Sequence, residues 1–231
     1  MIRAVLFDAV GTLLALREPV GDTYARIAAV HGVRIGAWRL DEAFRRVHAK
    51  APPLAFPDAP ADEVPARERA AWRSLARSTF LAADSGARFA DFDACFDALW
   101  RHFASATAWV LRPGAAEALS ALRERRRLVA VVSNFDQRLR PILAGLGLAP
   151  RLDAVVLPAD AGAAKPDPRI FATALARLGV EPTDAAFVGD DRERDLEAAR
   201  ALGMHAVDVA TLATLALLPA RIEALERGGE P

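Results

Sequence analysis

Asp8, Ser133, Asn134, Lys165, Asp190, Asp191 and Asp195 carry the groups in this chain best suited to chemistry in a sheltered crevice. Each follows a short apolar run or lies in the loop after one. Asp8 closes "AVLF". Ser133 and Asn134 close "LVAVV", and Lys165 lies in the loop after "AVVL". Asp190 and Asp191 follow "AAFVG", with Asp195 shortly after. Carboxylates brought together repel and raise one another's pKa unless a cation is present. Hard oxygen donors of this kind suit Mg²⁺, which keeps some of its waters and often bridges to phosphate. For Asp191 and Asp195 a second reading stays open, because acids are also favoured at a solvated helix start. Ser133 can donate a hydrogen bond to an anion, as can the backbone amides of the turn after it. Lys165 can neutralise a phosphoryl oxygen. It stands out because basic residues here are almost all arginine, Lys50 and Lys165 being the exceptions. It is also locked in "AAKPDPRIF", before a helix with Asp167 as cap and Pro168 in its first turn.

Positioning such groups requires strands that end together. Ala4–Phe7, Leu128–Val132, Ala154–Leu157, Ala185–Val188 and His205–Val209 are apolar runs without polar alternation, which predicts strands buried on both faces. Helical stripes separate the last four. One is Leu139, Ile142, Leu143 and Leu146; another is Ile170, Phe171, Ala174, Leu175 and Leu178; the third is Leu196, Ala199 and Leu202, stopped by Gly203. Strand alternating with helix predicts an α/β fold with a doubly wound parallel sheet. In such a sheet ligands bind beyond the carboxyl ends of the strands, where all the groups named above would converge.

Residues 15–109 read differently. Tyr24, Ile27, Ala28 and His31 have helical spacing, as do Trp72, Leu75, Ala76 and Phe80, and then Phe92, Phe96, Leu99 and Phe103. Each stripe reads as core packing, and no convincing strand is visible. "APPLAFPDAPADEVPAR" carries five prolines and reads as a loop. The division expected is a core of residues 1–14 and 110–231 with a helical insert, 15–109, after the first strand. Arg112-Pro113-Gly114 marks the return to the core.

Composition narrows the classes. The chain has 231 residues, 53% of them hydrophobic, with thirty basic residues balancing thirty acidic ones. A sizeable core is available, and neutrality argues against a broad electrostatic nucleic-acid or membrane partner. The single cysteine, Cys95, permits no disulfide framework within the chain and lies in an amphipathic pattern that reads as packing. No apolar run approaches the roughly 18–20 residues that span a bilayer, and Asp8 interrupts the only candidate leader segment. The chain therefore reads as a soluble cytoplasmic protein. Neither a phosphate-binding G-x-x-x-x-G-K-[ST] loop nor a G-x-G-x-x-G dinucleotide fingerprint is present, and the four histidines show no metal-ligand spacing.

The four stations, in this order, resemble the motifs of the haloacid dehalogenase superfamily: "FDAVGTLL", "VVSNF", "KPDPRIF" and "VGDDRERD". The run "SNFDQRL…KPDPRIF" is most similar to the branch of haloacid dehalogenase-like hydrolase domain-containing proteins, whose members have no firmly assigned substrate. The resemblance implies a Rossmann-like core with the helical insert as a cap. It implies Asp8 as a nucleophile that forms an aspartyl-phosphate, later hydrolysed by water. It further implies Mg²⁺ held by Asp8, the Val10 backbone carbonyl and Asp190, with Asp191 as a further ligand or a supporting group behind the ligands, and Asp195 supporting from behind. Ser133, Asn134 and Lys165, with Thr12, would bind the phosphoryl group of a small phosphorylated substrate.

One position departs from the pattern. Phosphatases of the superfamily normally carry Asp two residues after the nucleophile, to protonate the leaving oxygen and then activate water; this chain has Val10. General acid–base catalysis is worth about 10²–10⁴-fold, so the expected activity is a slow phosphohydrolase or one limited to good leaving groups. Dehalogenases also lack that Asp, because halide leaves without a proton, which makes 2-haloacid dehalogenation the competing reading. Against it stand the acids of "GDDRERD" and Phe171, where dehalogenases have an aromatic hydroxyl. A third reading is a phosphate-ligand-binding module with little turnover.

Overall fold

Ala4, Val5, Leu6 and Phe7 have no exposed surface, because they form the central strand, β1 (Ala4–Phe7), of a five-stranded sheet. A computed structural model of the chain describes residues 1–228, and these fall into two compact units.

The sheet unit comprises Met1–Ala15, Leu54–Ala59 and Val110 onward. Its strands are β1, β4 (Leu128–Val132), β5 (Ala154–Val156), β6 (Ala185–Gly189) and β7 (His205–Asp208), in the order β5-β4-β1-β6-β7. Every pairing is parallel: Phe7 lies opposite Val131 of β4 and Val188 of β6. From β1 the order runs outward through β4 to β5, then resumes at β6 on the other side of β1. That reversal is the switch point at which open α/β sheets bind ligands.

The strands expected from the sequence are present, β1 and β4 with the expected bounds and the other three with their last residue shifted by one. Leu157 leaves β5 to precede α7 (Pro158–Ala161), and Val209 leaves β7 for a tight turn capped by Asp208. The connecting helices α6 (Leu139–Gly145) and α8 (Pro168–Leu178) follow the predicted stripes, and α5 (Ala115–Glu124) starts directly after the Arg112-Pro113-Gly114 marker. Helix α8 begins as expected, with the Asp167 carboxylate accepting from the Arg169 N–H at 2.9 Å. After β6 comes a π-helical turn, Arg192–Glu197, which runs into α9 (Ala198–Ala201), and α10 (Leu218–Glu226) closes the described chain. Ile170, Phe171, Ala174, Phe187, Leu196 and Ala199 pack together with Leu6 in one core.

The helical unit comprises Leu16–Pro53 and Pro60–Trp109, with α1 (Val20–Val30), α2 (Ala37–His48), α3 (Val64–Ala83) and α4 (Phe92–Ala104). Tyr24, Ile27, Ala28, Phe80, Phe96 and Leu99 meet in its core, as the stripes predict; His31 lies just past the end of α1. Cys95 is fully buried there, and burial pushes its thiol up to about 11.

Three expectations need correction. The stretch taken as strand-free contains parts of β2 (Leu14–Leu16) and β3 (Trp109–Leu111), which pair as a two-stranded sheet; three residues are too few to show alternation. The proline-rich loop ends at Val64, where α3 begins with Pro65 in its first turn, a place where the missing N–H has no helical partner anyway. Residues 54–59, assigned to the insert, group with the sheet unit. Among the described residues no helix is long and apolar enough to cross a membrane.

Candidate functional site

The β1–β6 ladder continues one residue past β1, with the Asp8 N–H donating to the Val188 carbonyl at 2.9 Å. This holds Asp8 at the carboxyl edge of the sheet, where it is 8% exposed. Lys165 reaches it from the loop after α7. The Lys165 Nζ donates to Asp8 Oδ1 at 2.7 Å and to Asp195 Oδ1 at 2.6 Å, and it lies 5.3 Å from the centre of the Phe187 ring. Phe171 meets that ring edge-on at 5.2 Å. The ammonium thus rests on an aromatic face between two carboxylates.

Asn134 secures the lysine's backbone. Its Oδ1 accepts from the Lys165 N–H at 2.7 Å, and its Nδ2 donates to the Lys165 carbonyl at 2.8 Å. The carboxamide expected to contact phosphate therefore clasps the Lys165 loop. Ser133, also buried, follows β4; its Oγ accepts from the Phe135 N–H at 3.4 Å.

On the other side of β1, the Thr12 hydroxyl donates to Asp190 Oδ1 at 3.2 Å. Two glycines let backbone approach these acids. A Cβ on Gly11 would stand 2.2 Å from Asp190 Oδ2, and one on Gly189 2.3 Å from Asp195 Oδ2. Oxygens of Asp8, Asp190 and Asp195 all lie within 4.8 Å of one another. Asp191 plays a different part: its Oδ1 accepts from the N–H groups of Glu193 at 3.0 Å and Arg194 at 2.8 Å. It caps the π-helical turn, while that turn brings Asp195 back to the cluster. Val10, two residues after Asp8, is 37% exposed.

The electrostatics follow from this crowding. Burial raises the Asp8 carboxyl above its usual range against the pull of Lys165, and the charge of Asp190 adds to the rise. Burial likewise raises Asp195, reinforced by Asp8, and raises Asp190, reinforced by Asp195. For Lys165, burial disfavours the ammonium, but Asp8 and Asp195 more than offset it, and its pKa is raised. One ammonium among three carboxylates leaves two formal negative charges uncompensated. The donor set is all oxygen, and Asp190 is exposed. These residues fit a hard divalent cation such as Mg²⁺.

Sequence reasoning missed two participants. Phe187, hidden in an apolar strand, carries no polar signal. Arg112 donates from its Nη1 to the Gly11 carbonyl; its place directly before Pro113-Gly114 was visible, its reach to the Asp8 loop was not. The close approach of Asp195 did leave a trace, since Gly189 is the residue whose missing side chain makes room for it.

A parallel α/β sheet with an aspartate at its central strand end, a buried lysine against it and an acid cluster beside it defines a hydrolase of the haloacid dehalogenase type. The chain belongs to the haloacid dehalogenase-like hydrolase family, whose model matches residues 2–203. It is 40% identical over 210 residues to haloacid dehalogenase-like hydrolase domain-containing protein 3 of Bos taurus, covering 90% of this chain and 82% of the relative. It is also 40% identical over 98 residues to a phosphoserine phosphatase of Thermus thermophilus, covering 42% of this chain and 39% of that one. Among solved structures, a dehalogenase superposes with a TM-score of 0.63 at 27% identity, over 90% of this chain and 84% of its own.

Proposed function

We propose that this hydrolase is a Mg²⁺-dependent phosphohydrolase that works through an aspartyl-phosphate on a small phosphorylated metabolite. The observation that carries the reading is the surplus of negative charge around Asp8, Asp190 and Asp195, against which Lys165 is the buried counterion. In this reading Asp8, the Val10 carbonyl and Asp190 hold Mg²⁺, and the helical unit is a cap. Bound there, the ion supplies the charge compensation that lets a carboxylate and a phosphoryl group approach.

Asp8 Oδ attacks phosphorus; the new O–P bond forms as the bond to the leaving oxygen breaks and that oxygen departs with the electron pair. Lys165 offsets the charge of Asp8 and the phosphoryl oxygens as they meet, and Ser133 offers them a hydrogen bond. Water then attacks phosphorus as the bond to Asp8 Oδ breaks; the Asp8 carboxylate leaves with the electron pair, and phosphate is released with one water proton retained and the other lost to solvent. Val10 can neither protonate the leaving oxygen nor take a proton from water, so the substrates are those whose leaving oxygen is stable as an anion: acyl and aryl phosphates.

The test is release of phosphate from acetyl phosphate and p-nitrophenyl phosphate with and without Mg²⁺. Asp8→Asn should lower the rate by about three orders of magnitude or more. Activity that survives that substitution would overturn the mechanism. The apolar residue at position 10 and the dehalogenase relative favour one second reading, attack of Asp8 on the halogen-bearing carbon of a short 2-haloacid. Metal-independent chloride release would establish it in place of the first.

A further inference from the structure

The loop that carries Asp8 into Leu14 is closed mostly by its own backbone. Gly11 N–H donates to the Leu14 carbonyl, and the N–H groups of Leu13 and Leu14 both donate to the Ala9 carbonyl, each at 2.8 Å. Two other carbonyls of the loop take their donors from one residue a hundred positions away. The Arg112 backbone N–H donates to the Leu13 carbonyl at 2.9 Å, and the Arg112 guanidinium donates to the Gly11 carbonyl. Among the described residues Arg112 makes no ion pair, and its backbone and side chain both serve this loop.

Such an outside hold has a physical purpose. Gly11 has φ of +98°, a conformation open to glycine and strained for other residues. The freedom that lets glycine adopt it also lets the adjoining peptide planes rotate away. Yet Gly11 packs against the Asp190 carboxylate with no room for a Cβ, and Thr12, next in the chain, donates to the same carboxylate. Rotation of the peptide after Gly11 would break its bond to Arg112 and disturb Thr12, and it would free the Gly11 Cα on which the preceding peptide, with the Val10 carbonyl, pivots.

We propose that Arg112 is a positioning residue of this site: it fixes the peptide planes of the Val10–Leu13 loop, and through them the Val10 carbonyl and the seat of Asp190. Its consequence for Mg²⁺ rests on the metal reading above; the loop-fixing itself does not. Groups that orient metal ligands without touching the metal are typically worth about 10–100-fold in affinity.

Two measurements on Arg112→Ala and Arg112→Lys, beside the wild-type protein, test this. In metal-free protein, the Gly11 and Leu13 amides should exchange with deuterium at least about tenfold faster in Arg112→Ala than in wild type. Arg112→Lys should recover part of the protection, since an ammonium can still donate to the Gly11 carbonyl. Unchanged exchange in Arg112→Ala would overturn the inference. Calorimetric titration with Mg²⁺ should show affinity at least about tenfold weaker in Arg112→Ala. Faster exchange with wild-type affinity would overturn the role toward the metal. Absence of Mg²⁺ binding by wild type would overturn the metal reading instead, and the exchange result would still decide the role of Arg112.

Discussion

Lys165 Nζ lies 2.7 Å from Asp8 Oδ1, joining residues 157 apart in sequence. Its second bond, to Asp195, means that one ammonium serves two buried carboxylates. Removing it strands both. Lys165→Ala should cost about 3–5 kcal/mol of stability at neutral pH, the range for breaking a buried pair by deleting one partner. Both carboxyls are already raised in the folded state, so the stability they favour is present below their unfolded values and is lost as pH rises through the folded ones. The deficit should therefore narrow in acid. Urea unfolding at pH 7 and pH 5 measures it; a deficit under 1 kcal/mol at pH 7 would show that Lys165 is not the counterion these acids depend on.

Val10→Asp should raise phosphate release, by about 10²-fold if the missing proton carrier is the main deficit. Val10 is 37% exposed, so the fold should tolerate the change within about 0.5 kcal/mol. Steady-state rates on a poor leaving group, such as an alkyl phosphate, give the clearest contrast. No gain, with stability intact, would mean that proton transfer is solved elsewhere.

Mg²⁺ binding to the folded state alone should stabilise the protein by mass action. A saturating concentration should raise the thermal midpoint by about 5 °C or more, and a chelator should reverse the rise. Asp190→Asn should abolish most of it. A midpoint indifferent to Mg²⁺ in the wild type would contradict the assignment of Asp8 and Asp190 as ligands.

Glu226 gives a pH-dependent test away from the site. Arg127 donates to it at 2.8 and 3.0 Å, and the Ile2 N–H at 2.7 Å. Hydrogen bonds from Arg127 hold its carboxyl below the ordinary glutamate value of 4.5. A depressed carboxyl contributes stability above its unfolded pKa and loses it as pH falls through the folded one. Glu226→Gln should cost about 1 kcal/mol at pH 7, allowing for its partial exposure, and the gap from wild type should close as pH falls from the ordinary glutamate value through the lowered folded one. Chemical unfolding across that range would show it; a gap constant with pH would mean that the charge contributes nothing.

What the sequence disclosed follows from what burial does to residue choice. Strands covered on both faces leave unbroken apolar runs, so Ala4–Phe7 and Leu128–Val132 could be read to the residue, and the polar groups at their ends followed. Three-residue strands leave no such pattern, which is why β2 and β3 were not visible. Asp191 and Asp195 look alike in sequence as acids at a helix start. Only the π-helical turn separates them, sending one to cap its own amides and the other to Lys165. Asn134 was legible as a polar residue at a strand end and Arg112 as part of the return to the core, but their bonds to distant backbone depend on loop paths that residue type does not encode.

The exposure of Val10 has a wider meaning. Its neighbour Gly11 is wedged against Asp190, and Gly189 against Asp195, so neither can change without disturbing an acid. Position 10 is under no such constraint: it is a replaceable tooth in a fixed socket. A change at position 10 leaves both glycines and the acids they hold in place, so the scaffold can stay still while that one side chain varies.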